Sequence, residues 1–188
     1  MSRSLLTAEY RPRWRRAKSL TLLLCLAAKI TFAQAPGPLP KPPAEKLAVL
    51  DRFAGTWDVT ITTRRPKPAV VTYMFTYAWV LDHRYLQGDT GIKSDGTQDL
   101  VIFTYEQASN GYPLWIFYSS GAWIYLPPGV WDESSRTMTW KSAPTLTVSY
   151  LNRCSFQDAK TQRCTVLVKD WRGTVLLEQD SVALRRAP

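Results

Sequence analysis

His83 is the only histidine among 188 residues, so any chemistry that needs an imidazole must pass through it. It lies in Leu81-Asp82-His83-Arg84, which reads as a tight turn between two strands. A Ser-His-Asp or Cys-His machine needs an imidazole held beside a nucleophile. A turn histidine between Asp82 and Arg84 reads instead as a solvated surface residue. Haem ligation through histidine asks for a strand position facing a cavity, and zinc asks for three or four ligands. No Gly-x-Ser-x-Gly motif is present, which disfavours hydrolase chemistry. Asp89, Asp95 and Asp99 gather around the turn Ser94-Asp95-Gly96, and Asp132-Glu133 sit at another. Paired carboxylates can do acid–base work. Turns, however, favour Asp and Gly for backbone reasons of their own. The reading is therefore no catalytic residue, no metal and no cofactor.

The cysteines point elsewhere. Of the three, Cys25 lies in an N-terminal segment with the pattern of a secretory signal. Residues 11–18 are basic, residues 20–28 form an apolar run too short to span a bilayer, and Ala33-Gln34-Ala35 offers a small-residue cleavage site. Cleavage after Ala33 is preferred over cleavage after Ala35, which would leave Pro36 first. The domain reading is a signal peptide at 1–33, a proline-rich spacer at 34–43 and one domain at 44–188. Export places the remaining pair, Cys154 and Cys164, in an oxidising compartment, secreted or periplasmic. Gln157-Asp158-Ala159-Lys160 makes a turn between them, so a hairpin can set the two thiols opposite one another as a disulfide.

The formal charge of +9 suggests an acidic partner at first sight. Residues 1–33 hold seven Lys and Arg against Glu9, leaving +3 for the rest. That balance is ordinary. The remaining basic clusters, Arg64-Arg65-x-Lys67 and Arg185-Arg186, fall at strand ends or loops, so no nucleic-acid partner is expected. No stable membrane span is expected once the signal is removed.

Any chemistry has to be positioned by strands. A short helix fits after residue 43, with Leu47, Leu50 and Phe53 on one face and Gly55 ending it. From there the period switches to two. Trp57, Val59 and Ile61 alternate with polar residues, and Tyr73, Phe75, Tyr77, Trp79 and Leu81 form a longer stripe. Eight further runs follow at short, even spacing, separated by turn signals, and Pro127-Pro128 should mark a bulge in one of them. This predicts an all-β chain: a single antiparallel up-and-down β-barrel of eight to ten strands, because closure removes exposed edges.

The aromatic load is heavy: seven of the eight tryptophans lie beyond the signal. Such side chains can fill a barrel interior or line a cavity for a ligand. At Gly55-Thr56-Trp57, after a short helix, the chain resembles the lipocalin and calycin pattern. That resemblance implies a tryptophan plugging the closed barrel end and an arginine of the last strand, Arg185 or Arg186, packed over it. Phe53-x-Gly55-x-Trp57, Trp79-x-Leu81-x-x-Arg84-Tyr85-Leu86, and Trp131-Asp132 followed by Arg136 and Trp140 are similar to a family of bacterial exported proteins of unknown function with a lipocalin-like fold. The resemblance spans about half the chain and implies a fold, not an activity.

The function expected is a binding module holding a small hydrophobic ligand. Tyr77, Trp79, Trp115, Phe117, Trp123 and Trp140 are expected to line its cavity, with Gly55, Trp57 and Arg185 closing the barrel end. Alternation alone leaves open which face points inward, since a shift of one residue exchanges the two sets. The alternative is a cell-envelope structural or interaction protein with a filled barrel, marked by an exposed aromatic patch. The sequence leaves the oligomeric state open.

Overall fold

A computed structural model of the chain describes residues 40–142 and 147–187. The signal read at 1–33, and the proline-rich spacer up to residue 39, lie outside the described residues. The predicted helix is split into α1 (Ala44–Leu47) and a 3-10 turn (Leu50–Arg52). Pieces this short do not hold themselves in water and depend on the face they bury. Leu47, Leu50 and Phe53 supply that face, with Leu50 and Phe53 wholly enclosed. The Tyr112 hydroxyl donates to the Lys46 carbonyl at 3.0 Å and ties α1 to the wall.

Ten strands follow. They are β1 (Gly55–Arg65), β2 (Ala69–Val80), β3 (Tyr85–Asp89), β4 (Asp99–Phe103) and β5 (Tyr112–Tyr118), then β6 (Trp123–Asp132), β7 (Thr137–Lys141), β8 (Val148–Phe156), β9 (Thr161–Asp170) and β10 (Val175–Arg185). Each pairs antiparallel with the next, and β10 returns to β1, so the sheet is a closed up-and-down barrel. The closing seam sets Trp57 opposite Arg185, Val59 opposite Ala183 and Ile61 opposite Ser181. No sheet edge remains to template aggregation. No described helix is long and apolar enough to cross a membrane.

Two local devices shape the wall. Between β5 and β6 the register slips where Pro127-Pro128 lie opposite Pro113, because proline gives no N–H to a ladder. Gly129 follows, and the Trp140 indole packs so close that an added Cβ would stand 2.7 Å from its Cδ1. Across β8 and β9, Cys154 stands opposite Cys164 and the two form a disulfide.

Odd-numbered strands run away from the α1 end and even-numbered strands return to it. The α1 end is closed by packed side chains. The other end, called the mouth below, carries the connections 66–68, 90–98, 119–122 and 171–174.

Candidate functional site: a half-filled barrel

The closed end is built from the motif that opens β1. The Trp57 indole is fully buried, and its Nε1 donates to the Phe53 carbonyl at 2.7 Å. The Arg185 guanidinium lies 4.2 Å over the Trp57 ring, a cation–π contact. Its N–H groups reach the carbonyls of Ala54, of Arg52 at 2.6 Å and of Ala159 at 2.9 Å. One side chain therefore saturates the carbonyls at the end of the 3-10 turn and clamps that turn to the last strand. Gly55 has φ +106, a region that favours glycine, and a Cβ there would stand 3.0 Å from the Arg185 guanidinium.

Phe53 projects from the end of the 3-10 turn into the barrel and forms the cavity floor. It meets Phe103, Phe156, Tyr77 and Trp140 edge-on, with ring centroids 4.9–6.4 Å apart. Tyr77 and Trp140 both stack near Phe103, at 5.8 and 5.6 Å. Gly88 makes room for this layer: an added Cβ would lie 2.6 Å from Tyr77 and 2.7 Å from Phe75. Above the floor the aromatic packing stops, leaving a cavity of about 360 Å³. That is at the small end of the range for small-molecule sites.

Nearer the mouth the lining turns polar. Lys93, from the β3–β4 connection, pairs with Asp99 at the start of β4, and their side chains are only 10 % and 15 % exposed. The Lys93 ammonium also lies 5.5 Å over the Tyr73 ring. Tyr118 is the cross-strand partner of Asp99, and Tyr150 and Asn152 enter from β8. Burial raises Tyr73, Tyr118 and Tyr150 above the ordinary tyrosine value. The Asp99 carboxylate adds to the effect at Tyr73 and Tyr118. These phenols stay protonated at neutral pH and present O–H donors. Among the described residues, the Tyr73 and Tyr118 hydroxyls make no side-chain hydrogen bond, and both open onto the cavity rather than being sealed from water.

The six aromatic residues expected to line a cavity divide into three groups. Tyr77 and Trp140 line it. Trp79 lies on the inward phase of β2 but at the closed end, where its Nε1 donates to Asp51 at 2.7 Å and its ring stacks with His83 at 5.4 Å. Trp115, Phe117 and Trp123 are a correction: they stand on the outer wall. On β5 the inward set is Leu114, Ile116 and Tyr118, one residue out of phase with the expected one. Trp115 packs against Tyr125 on the outside at 5.2 Å, and Trp123 is 63 % exposed. His83 is an exposed residue of the closed-end connection, outside the cavity.

The polar lining went unread in the sequence. Asp99 looked like a turn carboxylate. Its signal was its phase, since it shares the inward period with Val101 and Phe103. An acid in phase with buried hydrophobics is a buried acid that needs a partner.

No family model matches the chain, and no curated protein matches it. Among solved structures, Rv2717c from M. tuberculosis aligns over 79 % of this chain and all of its own length, at TM-score 0.58 and 13 % identity. The chain has a lipocalin/calycin-like barrel fold. At that identity the likeness speaks for the fold alone. Also similar are the S-type phycobiliprotein lyase CPES from Guillardia theta (11 % identity, 79 % of this chain and 99 % of that one, TM-score 0.43) and a de novo designed fluorescence-activating β-barrel (10 %, 72 % and 95 %, TM-score 0.42).

Proposed function

We propose that this chain is an exported binding protein that holds one small hydrophobic ligand inside its barrel. The observation that carries the reading is the half-filled interior. Aromatic side chains pack the closed half, and above them the packing gives way to a cavity of about 360 Å³. Protein interiors are otherwise close-packed, so a cavity of this size inside a barrel is space that the packing of the core does not require. Phe75, Tyr77, Phe103 and Trp140 offer a ligand its apolar surface. The filled-barrel alternative leaves the void without a purpose. Export rests on the signal pattern at 1–33 and agrees with the Cys154–Cys164 disulfide, a bond that persists in oxidising compartments.

Native mass spectrometry of the protein purified from a secreting host tests this. The expected result is a mass increment of one small molecule that is lost on denaturation in organic solvent. A homogeneous ligand-free mass, together with no saturable binding across a panel of apolar fluorophores, overturns it. N-terminal sequencing of the same sample reads the cleavage site, expected to leave Gln34 first.

A further inference from the structure

We infer that the ligand is electrically neutral and carries a hydrogen-bond-accepting oxygen at its mouth-facing end, a carbonyl or hydroxyl rather than a carboxylate. This rests on the cavity reading above and specifies its chemistry. The polar lining is one built unit. Lys93 and Asp99 neutralise each other within it, and Tyr73 and Tyr118 flank the pair. An ion pair withdrawn from water is weak evidence for stability, because the desolvation of both charges offsets their attraction. Its place in the cavity lining is better explained by what it does to a guest.

With Lys93 already satisfied by Asp99, an entering carboxylate meets a balanced pair and the nearby Asp99 charge, and must shed its own hydration. A cation meets the Lys93 ammonium. A neutral oxygen meets neither penalty. It offers Tyr73 and Tyr118 the acceptor that the described residues do not supply. A plain hydrocarbon that displaces water from the cavity would leave both hydroxyls without an acceptor, which is costly, so a guest that supplies an oxygen is favoured over it. The aromatic floor takes the other end, which orients the ligand with its oxygen toward the mouth.

The test uses two fluorophores with one ring system, a neutral dimethylaminonaphthalene ketone and the matching dimethylaminonaphthalene carboxylate. Both are titrated into the intact protein and followed by emission shift. The wild type is expected to prefer the ketone by at least about tenfold. Asp99→Asn leaves the Lys93 charge uncompensated and is expected to reverse the order. Tyr118→Phe and Tyr73→Phe keep the charge balance, leave the fold intact and are each expected to weaken the ketone several-fold with little effect on the carboxylate. Equal or tighter carboxylate binding by the wild type overturns the inference, and so does an Asp99→Asn protein with unchanged preference. If Asp99→Asn does not fold, the two tyrosine variants decide: no change in ketone affinity overturns it. Binding of neither probe removes the cavity reading itself, and this inference with it.

Discussion

Arg185 covers the Trp57 ring and saturates backbone carbonyls from two segments distant in sequence. Its replacement by methionine keeps apolar cover on the indole and removes every one of those donors. The expected cost is about 2–4 kcal/mol, a fall in Tm of roughly 5–10 °C in a thermal melt. The tyrosines give a second prediction at this scale. Tyr73, Tyr77 and Tyr150 are held above the ordinary value of 10.0, mainly by burial, and Tyr112 is pushed up to about 12. Below the unfolded value both states keep their protons, so these groups add no pH dependence there. Above it the unfolded chain releases protons that the folded chain retains, and stability falls as pH rises toward the folded values. The urea midpoint should be flat to about pH 9 and clearly lower by about pH 11, by on the order of 1 kcal/mol per buried tyrosine. Phenolate absorbance from these residues should appear only with unfolding.

The strands and turns were the readable part of the sequence, and the reason is local. Period-two runs broken by Gly, Asn and Asp fix where a strand begins and ends, and ten such runs became ten strands. Pro127-Pro128 located the bulge, because a missing N–H acts wherever it falls. The inward face of β5 was not readable. Bulk alone favours Trp115 and Phe117, but the interior at that level already holds Phe75, Tyr77, Phe103 and Trp140, leaving room for Leu114 and Ile116. Only the neighbouring strands carry that information, and they are distant in sequence. The displaced aromatics pair with Trp123 and Tyr125 on the outer wall, where cross-strand aromatic contacts still stabilise the β5–β6 hairpin. The β8–β9 hairpin has a covalent staple instead. Reducing the Cys154–Cys164 bond, or replacing both cysteines by serine, frees a loop with a sequence separation of 10. The expected loss is roughly 2–3 kcal/mol in the chain-entropy account, read as a lower urea midpoint in the presence of reductant.

At the scale of the molecule, the barrel divides into a solid half and a hollow half. The solid half follows from the opening motif: α1 and the 3-10 turn deliver Phe53, Trp57 plugs the end, and Arg185 locks it. The hollow half follows from smaller inward residues beyond the plug, among them Val59, Val101, Ser181 and Ala183, with the Lys93–Asp99 pair and its tyrosines in the lining nearer the mouth. Val101 stands in the middle of β4, between Asp99 and Phe103 on the cavity wall. Val101→Trp therefore adds its bulk to the cavity wall and leaves the Trp57–Arg185 plug unchanged. The most direct measurement titrates wild type and Val101→Trp with the neutral naphthalene ketone and records its emission, with thermal melts to show that both proteins are folded. The predicted result is saturable one-to-one binding by the wild type and its loss, by at least about tenfold, in a folded variant. Equal binding by the two proteins would contradict a ligand held inside the barrel.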